Sequence, residues 1–225
     1  MRAVIIGNGE ARIGPRLRRV LDEAALIVCA DGGATHALAA GVRPTVIVGD
    51  LDSTPPAVLA YWQAQGVPVE RHPVAKDETD LELAIGWARE RGATSVALLA
   101  TLGGRLDQTL ANVLLLSLPA FADLTLRLED EQTSLALLRG GQALTIEGTP
   151  GDTISLLPLS EVAQGVRTAG LRYPLHGEPL YRGPTRGVSN DLQGSPARVS
   201  LDRGLLLVVH LRTGPDAAPD SGPGS

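Results

Sequence analysis

At 225 residues, with 44% hydrophobic and 20% charged side chains, the chain has enough apolar material for one large domain or two small ones, and its single cysteine excludes an internal disulfide. A formal net charge of −5 opposes general nucleic-acid binding, which needs excess Lys and Arg on one face. No apolar run approaches the ~20 residues of a membrane-spanning helix, and the start lacks an export signal's long apolar region, so the expectation is a cytoplasmic enzyme or binding protein without a membrane partner.

The first half alternates short apolar runs with helical segments, which predicts an α/β domain with a mainly parallel sheet. Val4 to Ile6 reads as a strand ending in Gly7-Asn8-Gly9, followed by a helix over Arg16 to Ala24. Leu26 to Ala30 is the next strand; Asp31-Gly32-Gly33 then opens a helix over Ala34 to Ala40. Val46 to Val48 runs into Gly49-Asp50-Leu51-Asp52-Ser53, and a helix over Pro56 to Gln65 leads to a strand at Val67 to Glu70. A helix over Thr79 to Arg91, a strand over Ser95 to Ala100, a helix over Gln108 to Leu116 and a strand over Leu124 to Leu128 complete this half.

From about Glu129 the pattern becomes short β-rich runs punctuated by Gly and Pro, at Leu135 to Leu138, Gln142 to Ile146, Thr153 to Pro158, Gly165 to Leu171, Arg198 to Leu201 and Leu205 to Leu211. These predict an all-β sandwich domain. The expected division is therefore residues 1–130, residues 131–213, and a disordered tail at 214–225 whose Gly, Pro, Ala, Ser and Asp cannot build a core.

In an open α/β sheet ligands bind outside the carboxyl ends of the strands, and here those ends are rich in acid and glycine. Two carboxylates two apart in an extended segment, Asp50 and Asp52, face the same way. At about 4 Å they repel by ~1 to 4 kcal/mol unless a cation lies between them. Hard oxygen donors without His or Cys point to Mg²⁺. An isolated Asp-x-Asp is more often a solvated turn, but three further acidic turns at neighbouring positions favour a cation site. In Lys76-Asp77-Glu78-Thr79-Asp80, Asp77 is expected to cap the helix, with Asp80 one turn along the same face. Capping accounts for part of this pattern, but not for Lys76, the one Lys among the basic residues; a cation there, beside a metal-binding acid, suits a nucleoside triphosphate. Gly103 and Gly104 let the backbone approach a ligand, and Arg105 offers a planar fork for phosphate. Gly7-Asn8-Gly9 lacks the third glycine of a dinucleotide fingerprint and the Lys and Ser/Thr of a P-loop, which argues against both.

His36, His72, His176 and His210 have no metal-ligand spacing and read as surface or cap residues. Cys29 reads as core, and Trp62 and Trp87 as helix packing. In the second half, Tyr173 and the pair Ser189-Asn190 can stack on and hydrogen-bond a flat heteroaromatic ligand, although a Ser-Asn turn and a half-buried Tyr are more often structural.

Taken in order, Asp31-Gly32-Gly33-Ala34, Gly49-Asp50-Leu51-Asp52-Ser53, Asp77-Glu78-Thr79-Asp80, Gly103-Gly104-Arg105-Leu106-Asp107-Gln108 and Ser189-Asn190 closely resemble the thiamine pyrophosphokinase family. The resemblance implies Mg²⁺-dependent transfer of pyrophosphate from ATP to the thiamine hydroxyl, releasing AMP. It also implies a nucleotide-binding α/β domain, a β-sandwich and a homodimer. Carried over by position, Asp50, Asp52 and Asp77 match the Mg²⁺ and phosphate-organising acids. Lys76, Arg105 and Asp107 join them in the catalytic set, while Asp31, Gly32, Gly33, Asp80, Gly103, Gly104 and Gln108 fall on the nucleotide side. Tyr173, Ser189 and Asn190 match the thiamine side, with Tyr173 where many eukaryotic members carry Trp and Gln108 where bacterial relatives often have His. The residues by themselves leave open a pyrophosphokinase for a pterin-type heterocycle or a non-catalytic nucleotide or thiamine sensor, and they leave the proton acceptor open between Asp77 and Asp107.

Overall fold

Six of the apolar runs become parallel strands: β1 (Arg2–Ile6), β2 (Leu26–Ala30), β3 (Val46–Gly49), β4 (Val69–Arg71), β5 (Ser95–Leu99) and β6 (Thr125–Glu129). In the computed structural model, which describes residues 1–213, they lie in the order β6-β5-β1-β2-β3-β4, and every pairing is parallel. Val4, Ile5, Ile47 and Leu98 are fully buried. Strands covered on both faces need apolar side chains on both, so they read as continuous runs rather than as alternation. The chain divides into two compact units at Glu131; the tail expected at 214–225 lies outside the described residues.

Five helices connect these strands: α1 (Pro15–Asp22), α2 (Gly33–Ala39), α3 (Pro56–Ala64), α4 (Asp80–Glu90) and α5 (Leu106–Leu115). Leu17 and Leu21 anchor α1, while Leu81, Ala84, Ile85 and Ala88 form the buried stripe of α4, the three- and four-residue spacing of an amphipathic helix. The Glu131 carboxylate accepts from the amides of Gly14, Arg16 and Leu17, meeting the unpaired donors at the start of α1. Trp62 donates to the Ala34 carbonyl at 3.0 Å and Trp87 to Glu70 at 2.7 Å, both in packing roles. Cys29 is core, where burial pushes its thiol pKa up. Strand β1 has β2 on one side and β5 on the other, so the chain reverses its direction of travel across the sheet there. This opens a crevice above the carboxyl ends of β1 and β5.

One cap differs from expectation. Thr79, not Asp77, precedes α4, and its hydroxyl accepts from the Glu82 amide at 3.2 Å. The helix begins later than the capping argument assumed, because the hydroxyl of Thr79 already satisfies a first-turn donor.

The second unit is antiparallel throughout. Strands β7 (Thr133–Arg139), β9 (Thr153–Pro158), β12 (Asn190–Asp191) and β14 (Leu205–Leu211) form one sheet in the order β12-β9-β14-β7. Strands β8 (Ala143–Ile146), β10 (Val162–Ala169), β11 (His176–Tyr181) and β13 (Ala197–Ser200) form the other, ordered β11-β10-β13-β8. Ile154, Leu156, Leu206 and Val208 of the first sheet share one core with Ala163, Val166, Ala197 and Val199 of the second, as in a sandwich. The sequence reading did not anticipate β11 or β12. Gly177 and Pro179 interrupt the strand signal of β11, and Pro is tolerated because β11 is an edge strand. Strand β12 is two residues long, too short for any periodicity.

Candidate active site

The turn after β3 does not follow the extended alternation expected of Asp50 and Asp52. Leu51 has φ +69, and the Asp52 amide donates to Asp50 Oδ1 at 3.2 Å, so a tight turn folds the two acids together. The turn after β2 adds Asp31, itself at φ +44. Asp31, Asp50 and Asp52 each present an oxygen within 4.8 Å of the other two. Asp31 is 5% exposed; its carboxylate accepts from the Ser53 amide at 3.1 Å and from the Thr54 hydroxyl at 2.8 Å. Burial nevertheless holds its pKa above the ordinary range, against those hydrogen bonds and with the Asp80 charge adding to the rise. Among the described residues, positive φ outside glycine occurs at Asp31, Leu51, Ala100 and Ser189. Asp31, Leu51 and Ser189 lie in turns that the motifs had singled out, and Ala100 follows the end of β5. Such conformations cost of order 1–3 kcal/mol each and persist where surrounding structure over-determines them.

Lys76 reaches into this group. Its ammonium is 3.0 Å from Asp50 Oδ2, 3.0 Å from Asp80 Oδ1 and 3.1 Å from the Pro73 carbonyl. The Lys76 hydrogen bond is the main cause holding Asp50 below the usual carboxylate range. Desolvation pulls Lys76 down, but its hydrogen bonds and charge contacts with Asp80 and Asp50 outweigh this and raise its pKa. The trio expected to meet, Asp50, Asp52 and Asp77, is not the one assembled: Asp31 takes the third place, and Asp77 is exposed outside the group. Asp77 lies two residues before Thr79, on the loop ahead of the cap, whereas Asp31 is fixed at a strand end beside β3.

Asp31, Asp50, Asp52, Lys76 and Asp80 line a cleft of about 770 Å³ together with the turns after β1 and β5. Gly103, at φ +79, adopts a conformation that suits glycine. Gly33 sits so close under β1 that a Cβ would lie 2.0 Å from the Ile6 carbonyl. Arg105 and Gln108 line the cleft. Arg105 grips Asp107 through two contacts, 3.1 and 2.6 Å; that bond keeps the Asp107 pKa low and the Arg105 pKa high. Both side chains are well exposed.

The sequence reading missed several lining residues. His36, expected at the surface or a cap, is half-buried in the cleft, and its Nε2 donates to the Gly9 carbonyl at 2.9 Å. Asn112 donates to the Thr101 carbonyl at 2.8 Å and so steadies the turn after β5. Neither has a local sequence signal, since each acts on a strand end distant in the chain.

In the second unit Asn190 is buried and its side chain clamps the neighbouring backbone. Its amide donates to the Tyr173 carbonyl at 2.7 Å, and its oxygen accepts from the amides of Tyr173 and Asp191. Tyr173, expected to be half-buried, is 59% exposed; Asn190 holds its backbone, and the Arg172 guanidinium lies 5.4 Å over its ring. Ser189, at φ +59, donates its amide to the Ser155 hydroxyl and is exposed. His210, another expected surface residue, is buried and lies 2.8 Å from Asp152.

A family model described as the catalytic domain of thiamin pyrophosphokinase matches residues 17–128, and one described as its vitamin B1 binding domain matches residues 143–206. A crystal structure of thiamin pyrophosphokinase from Geobacillus thermodenitrificans is 31% identical, with TM-score 0.82, over 98% of this chain and 99% of that one. The chain belongs to the thiamin pyrophosphokinase family. The family's Bacillus subtilis member, thiamine pyrophosphokinase, is 28% identical over 91% of this chain and 96% of its own length. Its crystal structure superposes with TM-score 0.85 over 95% of this chain and 100% of that chain. This chain is an enzyme of the family, with an α/β unit followed by a β-sandwich unit. Among the described residues, no helix is long and apolar enough to cross a membrane.

Proposed function

We propose that the chain transfers the β,γ-pyrophosphoryl group of ATP to the hydroxyl of thiamine, with Mg²⁺, giving thiamine diphosphate and AMP. The observation that carries this reading is the gathering of Asp31, Asp50 and Asp52 at adjacent strand ends, in a chain whose two halves match the family's two domains. The donor set suits a hard cation: it is all carboxylate, and Asp80 Oδ1 is buried without an aligned hydrogen bond, held only by the charge of Lys76. We assign Asp31, Asp50 and Asp52 to hold Mg²⁺, which would offset the charge of the triphosphate and orient it.

The protein's own groups then supply positioning and further charge neutralisation. The cleft-lining Arg105 offers its guanidinium fork to phosphate, and Gly103 and Gly104 let the nucleotide approach the backbone. Gly32, Gly33, Asp80 and Gln108 complete the nucleotide side. The thiamine oxygen bonds to the β-phosphorus as the bond to the α,β-bridging oxygen breaks and AMP departs with that electron pair. The hydroxyl proton passes to a carboxylate, Asp77 or Asp107. Asp107 is the weaker base of its kind, because Arg105 holds it in the charged form. On the thiamine side, the exposed Tyr173 ring stacks on the heterocycle, Ser189 hydrogen-bonds it, and Asn190 fixes the Tyr173 backbone. The same reading makes the enzyme a cytoplasmic homodimer, supported by the resemblance of the motifs.

The test is direct. Purified protein with ATP, MgCl₂ and thiamine should form AMP and thiamine diphosphate in equal amounts. A folded protein that forms no AMP rejects the reading. Preference for a hydroxymethylpterin replaces the acceptor, and thiamine binding without turnover makes the protein a sensor.

A further inference from the structure

Lys76 is docked in the acidic cluster rather than presented to the cleft. An ammonium has three donors, and three acceptors surround this one: Asp50 Oδ2, Asp80 Oδ1 and the Pro73 carbonyl. Its side chain is 11% exposed. Two of its donors are spent on Asp50 and Pro73, and the third side of the ammonium faces Asp80 across an ion pair, so it is directed at carboxylates rather than at a phosphate. Asp50 is correspondingly committed, with Oδ2 on Lys76 and Oδ1 on the Asp52 amide. The carboxylates of Asp31, Asp50, Asp52 and Asp80 outnumber the single ammonium among them, so the group retains an excess of negative charge.

We propose that Lys76 is a built-in counter-ion of this cluster, which a divalent cation displaces from Asp50, so that metal loading releases the chain's one lysine towards the triphosphate. The inference rests on the cleft being a Mg²⁺–ATP site, and it adds an order of events to that reading. Two cations drawing on one carboxylate repel each other, so each weakens the binding of the other. The displacement needs no unfolding. Lys76 lies between β4 and α4, outside both elements, on a flexible four-carbon stem. The opposite possibility is a fixed strut, with Lys76 bracing Asp50 against Asp80 whether or not metal is bound.

Because Lys76 is the only lysine in the sequence, biosynthetic labelling with [ε-¹³C]lysine gives a single side-chain resonance. We expect MgCl₂, added without nucleotide, to shift that resonance with the midpoint of metal binding. In parallel, Mn²⁺ binding to the nucleotide-free protein, followed by electron paramagnetic resonance, should tighten about ten-fold or more in Lys76→Met, and much less in Lys76→Arg, which keeps a cation. A resonance that stays fixed while wild-type protein binds Mn²⁺ makes Lys76 a strut and overturns the inference, leaving the metal site intact. Equal or weaker Mn²⁺ binding by folded Lys76→Met does the same. If neither protein binds Mn²⁺, the metal reading itself falls and the inference falls with it. The resonance experiment uses wild-type protein, so it stands even if the variants fold poorly.

Discussion

Two carboxylate centres in this chain answer the same physical problem in opposite ways. In the second unit Asp152 is 2% exposed, yet its demand for donors is met. Oδ1 accepts from the Thr213 amide and hydroxyl, and Oδ2 from the Thr149 amide and from His210 Nε2. Burial pushes its pKa up, but those bonds, led by the Thr213 and Thr149 amides, prevail and hold it below the usual range. In the first unit Asp31 receives two hydrogen bonds, lies among like charges, and has its pKa raised. A carboxylate with matched donors is a structural clamp. A group of carboxylates with more charge than its surroundings neutralise is suited to receive a cation, and the difference lies in whether hydrogen-bond donors outweigh the penalty of burial.

The largest effect expected from this contrast is on turnover. Asp52→Asn should lower kcat/KM about 10³-fold, equivalent to about 4 kcal/mol, with an unchanged melting curve, because Asp52 is exposed and braces no core. AMP release assayed beside a thermal melt separates the two; a rate near wild type would reduce the first centre to an ordinary turn. Asp152→Asn should do the reverse, costing about 3 kcal/mol of stability through lost bonds to Thr149 and Thr213, as read by urea unfolding. The sign with pH follows from a depressed folded pKa. Asp152 contributes fully above its unfolded value of about 3.9, and the contribution disappears as pH falls through the lower folded value. The variant should therefore lose stability less steeply on acidification below about pH 4 than the wild type does.

Smaller effects sharpen the comparison further. Asn190→Ala removes the clamp on the Tyr173 backbone, so it should cost about 1–2 kcal/mol and raise the thiamine KM more than the ATP KM, with Ser189→Ala adding to the thiamine loss alone. Equal changes in both KM values would detach this turn from thiamine. Arg105→Lys should be mildest, raising the ATP KM several-fold in steady-state kinetics without moving the melting temperature, since the Arg105–Asp107 pair is exposed and screened by solvent.

Much of this was legible in the sequence for a definite reason. Strands such as Leu26–Ala30 and Leu205–Leu211 are uninterrupted β-rich runs bounded by turn residues, so even their limits could be read. Edge strand β11 was hidden by Gly177 and Pro179, and β12 by its brevity. The acids after β2 and β3 stood out because a carboxylate at a strand end has no packing reason to be there. The position of Asp77 misled, because a loop ahead of a helix offers several residues that can cap it, and Thr79 does so. His36 and His210 carried no local sign of their roles, as the partners of both lie far away in the chain.

Local composition and periodicity thus determined the order of elements, the change from α/β to all-β near residue 130, and which turns carry charge, since each of these depends on residues adjacent in the chain. Which acids meet depended on folding. Bringing Asp31 against Asp50 and Asp52, turning Leu51 and Ala100 to positive φ, and seating Lys76 between Asp50 and Asp80 all require β2, β3 and β5 to take their places in one sheet. Charge convergence is a property of distances in space, and spacing along the chain does not encode those distances.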